Sequence, residues 1–332
     1  MLFLILLGSS VLISVSSNSW FIIWMGMEIN MMSFMPLIIE QNNLTSKESA
    51  LTYFMIQTIA SMIMMMSIIT MMINKNYMNI IVKEMNNMMM MSVLMMKSGI
   101  SPFHFWMPKM MEGMSWNKCF ILMTFQKIIP LMIMSNIIKM NWLSMSAMMM
   151  SIIIGAIGGL NQTSIRKIMA YSSITNNGWM MAAMLISETM WMFYFMMYTI
   201  MTATLTISMN MLKVYHINQL MSTNMTKMKK FILMMNLLSI SGLPPMMGFM
   251  PKWMVIQSNL SNNEIMLMTM MTLMTLITIY YYLRIMYSTL MLSNSEPKWN
   301  NKKMEFNNNK LMFLSVLSLM GLPFITLIIS LY

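Results

Sequence analysis

Apolar positions in this chain fill long blocks separated by short polar and charged clusters. A membrane-spanning helix needs ~20 apolar residues. Blocks of that order predict about eleven spans, at 2–17, 20–40, 49–73, 85–111, 115–138, 141–161, 165–186, 188–212, 229–260, 264–292 and 310–331. The expected fold is all-α, a polytopic membrane helix bundle of about 11 transmembrane helices. One membrane domain covers 1–332, with repeat halves of about 1–138 and 141–292 and a final helix over 310–331. The first block is short, but it lacks the basic stretch that opens a signal peptide and reads as a retained helix. Segment 115–138 is expected to be one continuous helix.

Composition strengthens that reading. Hydrophobic residues make up 58% of the 332 and charged residues 9%, and mean hydropathy is +0.65. A soluble surface would need roughly a quarter of its residues charged. Cys119 is the one cysteine, so a disulfide scaffold is excluded. His104 and His216 are the two histidines, too few with one cysteine for a metal or iron–sulfur site. Methionine occurs 63 times and on every segment. Met is a flexible apolar filler. Its abundance alongside Ile, Asn and Lys points to an AT-rich genome in which ATA is read as Met, as in many animal mitochondria.

The net charge of +11 is topological. Thirteen basic residues fall at span ends or loops on one side, from Lys47, Lys109 and Lys118 through Arg166, Lys167, Lys213, Lys227, Lys229 and Lys230 to Lys298, Lys302, Lys303 and Lys310. Lys75, Lys83 and Lys139 fall on the other. That asymmetry obeys the positive-inside rule. The N-terminus is then expected to start inside, eleven crossings put Tyr332 outside, and no nucleic-acid partner is expected.

Residues 98–109 read SGISPFHFWMPK and residues 241–252 read SGLPPMMGFMPK. Six positions coincide in one frame at an offset of 143. Both stretches place Gly and Pro inside an apolar block, and proline removes a helix hydrogen bond and clashes with the preceding turn. Each block is therefore expected to be a discontinuous helix. Five crossings separate the two, so they run in opposite directions. That is the inverted repeat of secondary transporters, whose broken helices mark the ion path.

Lys97, Lys127, Lys252, Arg284 and Glu28 lie within the expected spans. An ionisable group at mid-bilayer costs ~2.5–3.5 kcal/mol, so such groups pair, line water or do work. At ~1.5 Å per residue, Lys127 is ~18 Å and Glu28 ~13 Å into their spans. Arg284 is nearer the basic side, where its side chain can snorkel. Lys97 precedes the first break, Lys252 follows the second and His104 lies within the first. A desolvated ammonium releases its proton more readily, and a nearby carboxylate holds it. Glu28 and Lys97 are expected within ion-pair or one-water distance. The set Glu28, Lys97, His104, Lys127 and Lys252 describes a proton relay. Without Asp there is no Ser-His-Asp set, and no phosphate-binding Gly motif occurs. Gly155, Gly158 and Gly159 read as close helix packing.

KSGISPFHFWMPK at 97–109, TFQKIIP at 124–130, RKIMAYSSITNNGW at 166–179 and GLPPMMGFMPKW at 242–253 together resemble the chain 2 family of NADH–ubiquinone oxidoreductase. These are antiporter-like subunits in the membrane arm of mitochondrial respiratory complex I. The resemblance covers nearly the whole chain, and eleven segments match the shortened animal form. It implies proton translocation across the inner mitochondrial membrane through the buried Lys/Glu relay, with the N-terminus in the matrix and the C-terminus in the intermembrane space. Glu28 takes the place of the family's membrane Glu, Lys97 that of its partner, Lys127 the central Lys, Lys252 the broken-helix Lys, and His104 the His of PFHFW. NADH, FMN, iron–sulfur clusters and ubiquinone belong to partner subunits, so no cofactor is expected here. Other membrane-arm and accessory subunits and membrane lipid are the expected partners. One departure stands out: where the family often has a His after AYSSI, this chain has Asn176.

Three other readings compete. A stand-alone cation/proton antiporter shares the repeat and the buried lysines. An inert membrane spacer predicts that Lys127 and Glu28 tolerate neutral replacement. A membrane acyltransferase needs a catalytic His beside an acid, which neither His104 nor His216 offers from its surroundings in the sequence.

Overall fold

A computed structural model describes residues 1–73, 80–222, 227–244, 246–291 and Val316. The final span 310–331, the basic loop 293–310 and Tyr332 lie outside these residues, Val316 excepted. Among the described residues the regular structure is helical, with one isolated bridge between Ser164 and His216. The chain divides into two compact units, Met1–Ala147 and Met148–Tyr332.

The first unit holds α1 (Leu2–Ser16), α2 (Trp20–Ile38), α3 (Leu44–Ile73), α4 (Ile80–Ser98), α5 (Trp106–Gly113), α6 (Trp116–Met123) and α7 (Phe125–Ile137). Helix α8 (Trp142–Gly159) carries the division between the units. The second unit continues with α9 (Ile165–Met184), α10 (Glu188–Leu212), α11 (Ile217–Ser222), α12 (Lys227–Ser241), α13 (Phe249–Ser261) and α14 (Ile265–Leu290). Among the described residues, six stretches are long and apolar enough to cross a membrane: α2, α3, α6 with α7, α8, α10 and α14.

Local chemistry sets many of these limits. Ser19 starts α2 by accepting from the Ile22 N–H at 3.4 Å, and Ser187 starts α10 by accepting from the Met190 N–H at 3.3 Å. Glu188 adds a carboxylate to the positive end of α10. That helix ends where Lys213 turns left-handed at φ 53°. Between α2 and α3, Lys118 Nζ reaches the Ile38 carbonyl at 3.1 Å and Glu40 Oε1 at 2.6 Å. The Lys118 ammonium beside it holds the Glu40 carboxyl below the usual carboxylate range.

Helix α4 stops at Ser98 and α5 starts at Trp106; α12 stops at Ser241 and α13 starts at Phe249. Both pairs of limits are 143 residues apart, the offset of the sequence match. The residue after each stop is a glycine with positive φ, +72° at Gly99 and +84° at Gly242. An L-residue with a side chain rarely adopts that conformation, which is why Gly ends both helices. Pro245 lies outside the described residues.

The expectation of one continuous helix over 115–138 fails. A one-residue turn at Thr124, with φ −115° and ψ −78°, divides α6 from α7, although its N–H still reaches the Phe120 carbonyl at 3.0 Å. Pro130 then sits inside α7, where its ring displaces a helix hydrogen bond three residues after Lys127. A proline within a sequence otherwise suited to a span is compatible with a locally opened helix, and Thr124 is where it opens.

The glycines of α8 do allow close packing. A Cβ at Gly155 would meet Thr175, one at Gly158 the Tyr171 ring, and one at Gly159 the Tyr281 ring. Arg284 donates to the carbonyl of Leu160, just beyond the end of α8. Its guanidinium thus serves an orphan helix-end carbonyl.

Candidate functional site

In the first unit the interior is not purely apolar. Helix α3 turns Ser46, Ser49, Tyr53 and Gln57 inward. Their spacing of three, four and four residues puts them on one helix face. Helix α2 contributes buried Asn30. Tyr53 donates its hydroxyl to Gln126 Oε1 at 3.0 Å, and Gln126 Nε2 donates to Asn30 Oδ1 at 3.0 Å. Three helices, α3, α7 and α2, are joined by this chain of side chains. Lys127 follows Gln126 and is 2% exposed.

Lys97 ends α4 and is buried. Gln57 Nε2 donates to its backbone carbonyl at 3.4 Å, and its own Nζ lies 3.3 Å from Met27 Sδ. Glu28 is the next residue after Met27, and its field acts on both Lys97 and Tyr53. Of the two arrangements expected for Glu28 and Lys97, the direct ion pair is absent, and the ammonium meets the Met27 thioether. Glu28 Oε1 is buried with no hydrogen-bond donor among the described residues.

His104 is buried in the loop between α4 and α5. Its Nδ1 lies 3.3 Å from the Pro102 carbonyl, and its ring stacks on Phe105 at 4.1 Å. It bonds within its own loop rather than to Lys97 or Glu28. Trp106 closes the same interruption, donating its indole N–H to the Met96 carbonyl at 3.1 Å.

In the second unit Lys252 performs the corresponding service. It is buried on α13 and donates to the Ser241 carbonyl, the last of α12, at 2.7 Å. Asn176, at the departure from the family pattern, accepts from the Tyr194 hydroxyl at 3.0 Å and donates to the Ser172 carbonyl at 2.9 Å. A phenol is thus the neighbour that meets the uncharged amide. Lys230, read as a span-end charge, lies in the first turn of α12 and is buried there. His216 lies where the strand-like bridge pins the segment after α10 to the start of α9, away from any acid that bonds it.

Residue by residue, the structure brings Glu28, Lys97, His104 and Lys127 into one unit and places Lys252 in the other. Asn30, Tyr53, Gln57 and Gln126 were not singled out by sequence. The signal was present as polar positions at helical spacing on one face of an otherwise apolar span. Chemically, buried amines, a carboxylate and an imidazole can hold and pass protons, and the bridging amides can orient the groups around them. Nothing among them resembles a nucleophile with its base.

The family profile described as "NADH:quinone oxidoreductase/Mrp antiporter, TM" matches residues 17–278. The chain is 43% identical over 294 residues to NADH-ubiquinone oxidoreductase chain 2 of Anopheles gambiae, covering 88% of this chain and 86% of the mosquito protein. It is 37% identical over 299 residues to the protein of the same name from Bos taurus, covering 86% and 84%. A chain of respiratory complex I from Thermus thermophilus aligns with a TM-score of 0.82 at 17% identity, covering 97% of this chain and 77% of the other. A chain of the Mrp complex from Dietzia sp. aligns with a TM-score of 0.80 at 14% identity, covering 98% and 75%. At such identities the structural likeness speaks for the fold alone.

Proposed function

Since the chain belongs to the membrane-subunit family shared by NADH:quinone oxidoreductases and Mrp antiporters, we propose that it is a membrane-arm subunit of respiratory complex I that translocates protons across the inner mitochondrial membrane. The observation that carries this is the identity with chain 2 relatives over most of both chains. The buried basic residues supply the chemistry. Glu28, Lys97, His104, Lys127 and Lys252 are the protonatable groups of the relay, and water and hydroxyls carry protons to and from them. Moving one charge outward against the potential costs ~2.3 kcal/mol per 100 mV. The energy comes from NADH-to-ubiquinone electron transfer in partner subunits, which hold FMN, the iron–sulfur clusters and the quinone.

The proposed arrangement has eleven crossings in one membrane domain, two of them discontinuous and related by an inverted repeat. The shared offset of helix stops, helix starts and positive-φ glycines supports it. An unpaired backbone group at membrane depth is tolerated only against protein or water. Trp106 and Lys252, which each donate to a carbonyl at a helix stop, answer that requirement. The Lys-rich loops face the matrix and Tyr332 the intermembrane space. Protease added to intact mitoplasts should leave the 293–310 loop uncut; cleavage there from outside reverses the orientation.

Purification distinguishes the reading from a stand-alone antiporter. The native assembly containing this chain should oxidise NADH, reduce quinone and take up protons in step. Recovery of the chain only in a small assembly without NADH oxidation would overturn the complex I assignment.

A further inference from the structure

Lys127 occupies an unusual place. The turn at Thr124 separates α6 from α7, so α7 begins only two residues before the lysine. The first N–H groups of a helix have no partner within it, and the first turn is the least constrained part. The Lys127 N–H donates to the Thr124 carbonyl, three residues back, at 3.0 Å. Pro130 removes a further hydrogen bond from the following turn. A relay base that must exchange protons with fixed neighbours has been set on a weakly held turn.

Gln126, in that same turn, uses both ends of its amide. Its oxygen accepts from Tyr53 on α3 and its nitrogen donates to Asn30 on α2, each at 3.0 Å. Tyr53 and Asn30 are both buried. Tyr53 is further fixed by edge-on contact with Phe34 of α2, the ring centroids 5.3 Å apart. A planar amide held at both ends cannot rotate without breaking a buried hydrogen bond, and a buried donor or acceptor left unmet is costly. Asn30 is two residues from Glu28 on α2, so its anchor also fixes the rotation of the helix that carries the acid.

We infer that Tyr53, Gln126 and Asn30 form a clamp that replaces the missing helix continuity at Thr124 and positions Lys127 relative to Glu28. The three are positioning residues. The amide of Gln126 neither gains nor loses a proton; it sets where Lys127 stands. This inference rests on the relay role proposed for Lys127 and adds the device that makes the role possible on an interrupted helix.

The test uses the whole assembled complex, with turnover normalised to assembled protein. Gln126→Met and Asn30→Leu keep approximate volume and remove the bond between them. Each should lower the kcat of coupled NADH:quinone turnover about tenfold, short of the roughly hundredfold that a 1 Å misplacement can cost. The KM for NADH and for quinone should stay unchanged, because both bind in other subunits. The double variant should be no slower than Gln126→Met, which already removes the bond that Asn30→Leu removes and the Tyr53 bond besides. Tyr53→Phe deletes a single oxygen and should slow turnover about threefold, the smaller of the two losses because Asn30 still holds the amide. It decides the matter should Gln126→Met fail to assemble. Lys127→Met is measured alongside. Impaired Lys127→Met with wild-type turnover in Tyr53→Phe, Gln126→Met and Asn30→Leu would overturn the clamp and leave the relay standing. Wild-type turnover in Lys127→Met would overturn the relay itself. Single losses that multiply in the double variant would also overturn the clamp, because they would mark two independent packing defects.

Discussion

Lys127→Met should leave the complex assembled while proton pumping and NADH:quinone turnover fall together, by tenfold or more. The physical case starts from cost. An ammonium at membrane depth costs ~2.5–3.5 kcal/mol on the insertion scale, so replacing it with an apolar side chain should be neutral or stabilising if it only fills space. Met has nearly the length of Lys and suits a buried site. Lys127 is 2% exposed, so no interface offers its head group bulk water. A group kept there against that cost is kept for what it does. Lys127→Arg should not restore turnover fully. Arg keeps its charge in proteins and cannot release the proton that a relay must pass on. Proton uptake and turnover in reconstituted, fully assembled variant complex decide between the readings. Unchanged pumping in Lys127→Met would favour an inert spacer.

Gly248→Ala should strongly reduce the amount of assembled complex. Gly248 caps the start of α13, after the interruption that begins at Gly242. A Cβ there would run into the backbone carbonyl of Ser239, with Met201 Sδ also 3.0 Å away. A methionine end can move, but a backbone carbonyl in α12 cannot rotate aside without breaking its helix. Overpacking against side chains costs ~1–3 kcal/mol, and a backbone obstacle belongs at the upper end or above. Gly8→Ala is the control. A Cβ at Gly8 meets nothing within 4 Å, and Ala suits a helix interior better than Gly by ~1 kcal/mol. Gly8→Ala should therefore assemble at least as well as the natural chain. Complex abundance on native gels and the melting temperature of the purified assembly read both. Normal assembly of Gly248→Ala would mean that the α12–α13 junction is looser than its geometry.

Much of this was legible from local chemistry. Long apolar blocks specify membrane helices because the backbone must satisfy its own hydrogen bonds in lipid. The limits at Ser98 and Ser241 were readable because Gly and Pro act on the residues beside them. The glycines of α8 likewise announced close packing, and Thr175, Tyr171 and Tyr281 supply the neighbours. The burdened positions Glu28, Lys97, Lys127 and Lys252 could be found by their charge alone.

Other features depended on which helices meet. The interruption at Thr124 has no glycine to mark it. The polar face of α3 acquired meaning only when α7 and α2 brought Gln126 and Asn30 to Tyr53, across sequence separations of 73 and 96 residues. Met27 displaced Glu28 as the direct contact of Lys97, since adjacent residues on a helix point about 100° apart and one of them faces the ammonium. Lys230 was buried, and Arg284 was assigned to the Leu160 carbonyl, by neighbours more than a hundred residues away in the latter case. Sequence therefore determined the helical, apolar character of the chain and the helix stops at Ser98 and Ser241, because each follows from local backbone sterics and solvation. Tertiary structure alone decided which side chain each charge meets and what holds the turn beneath Lys127, because those depend on long-range packing that no local pattern encodes.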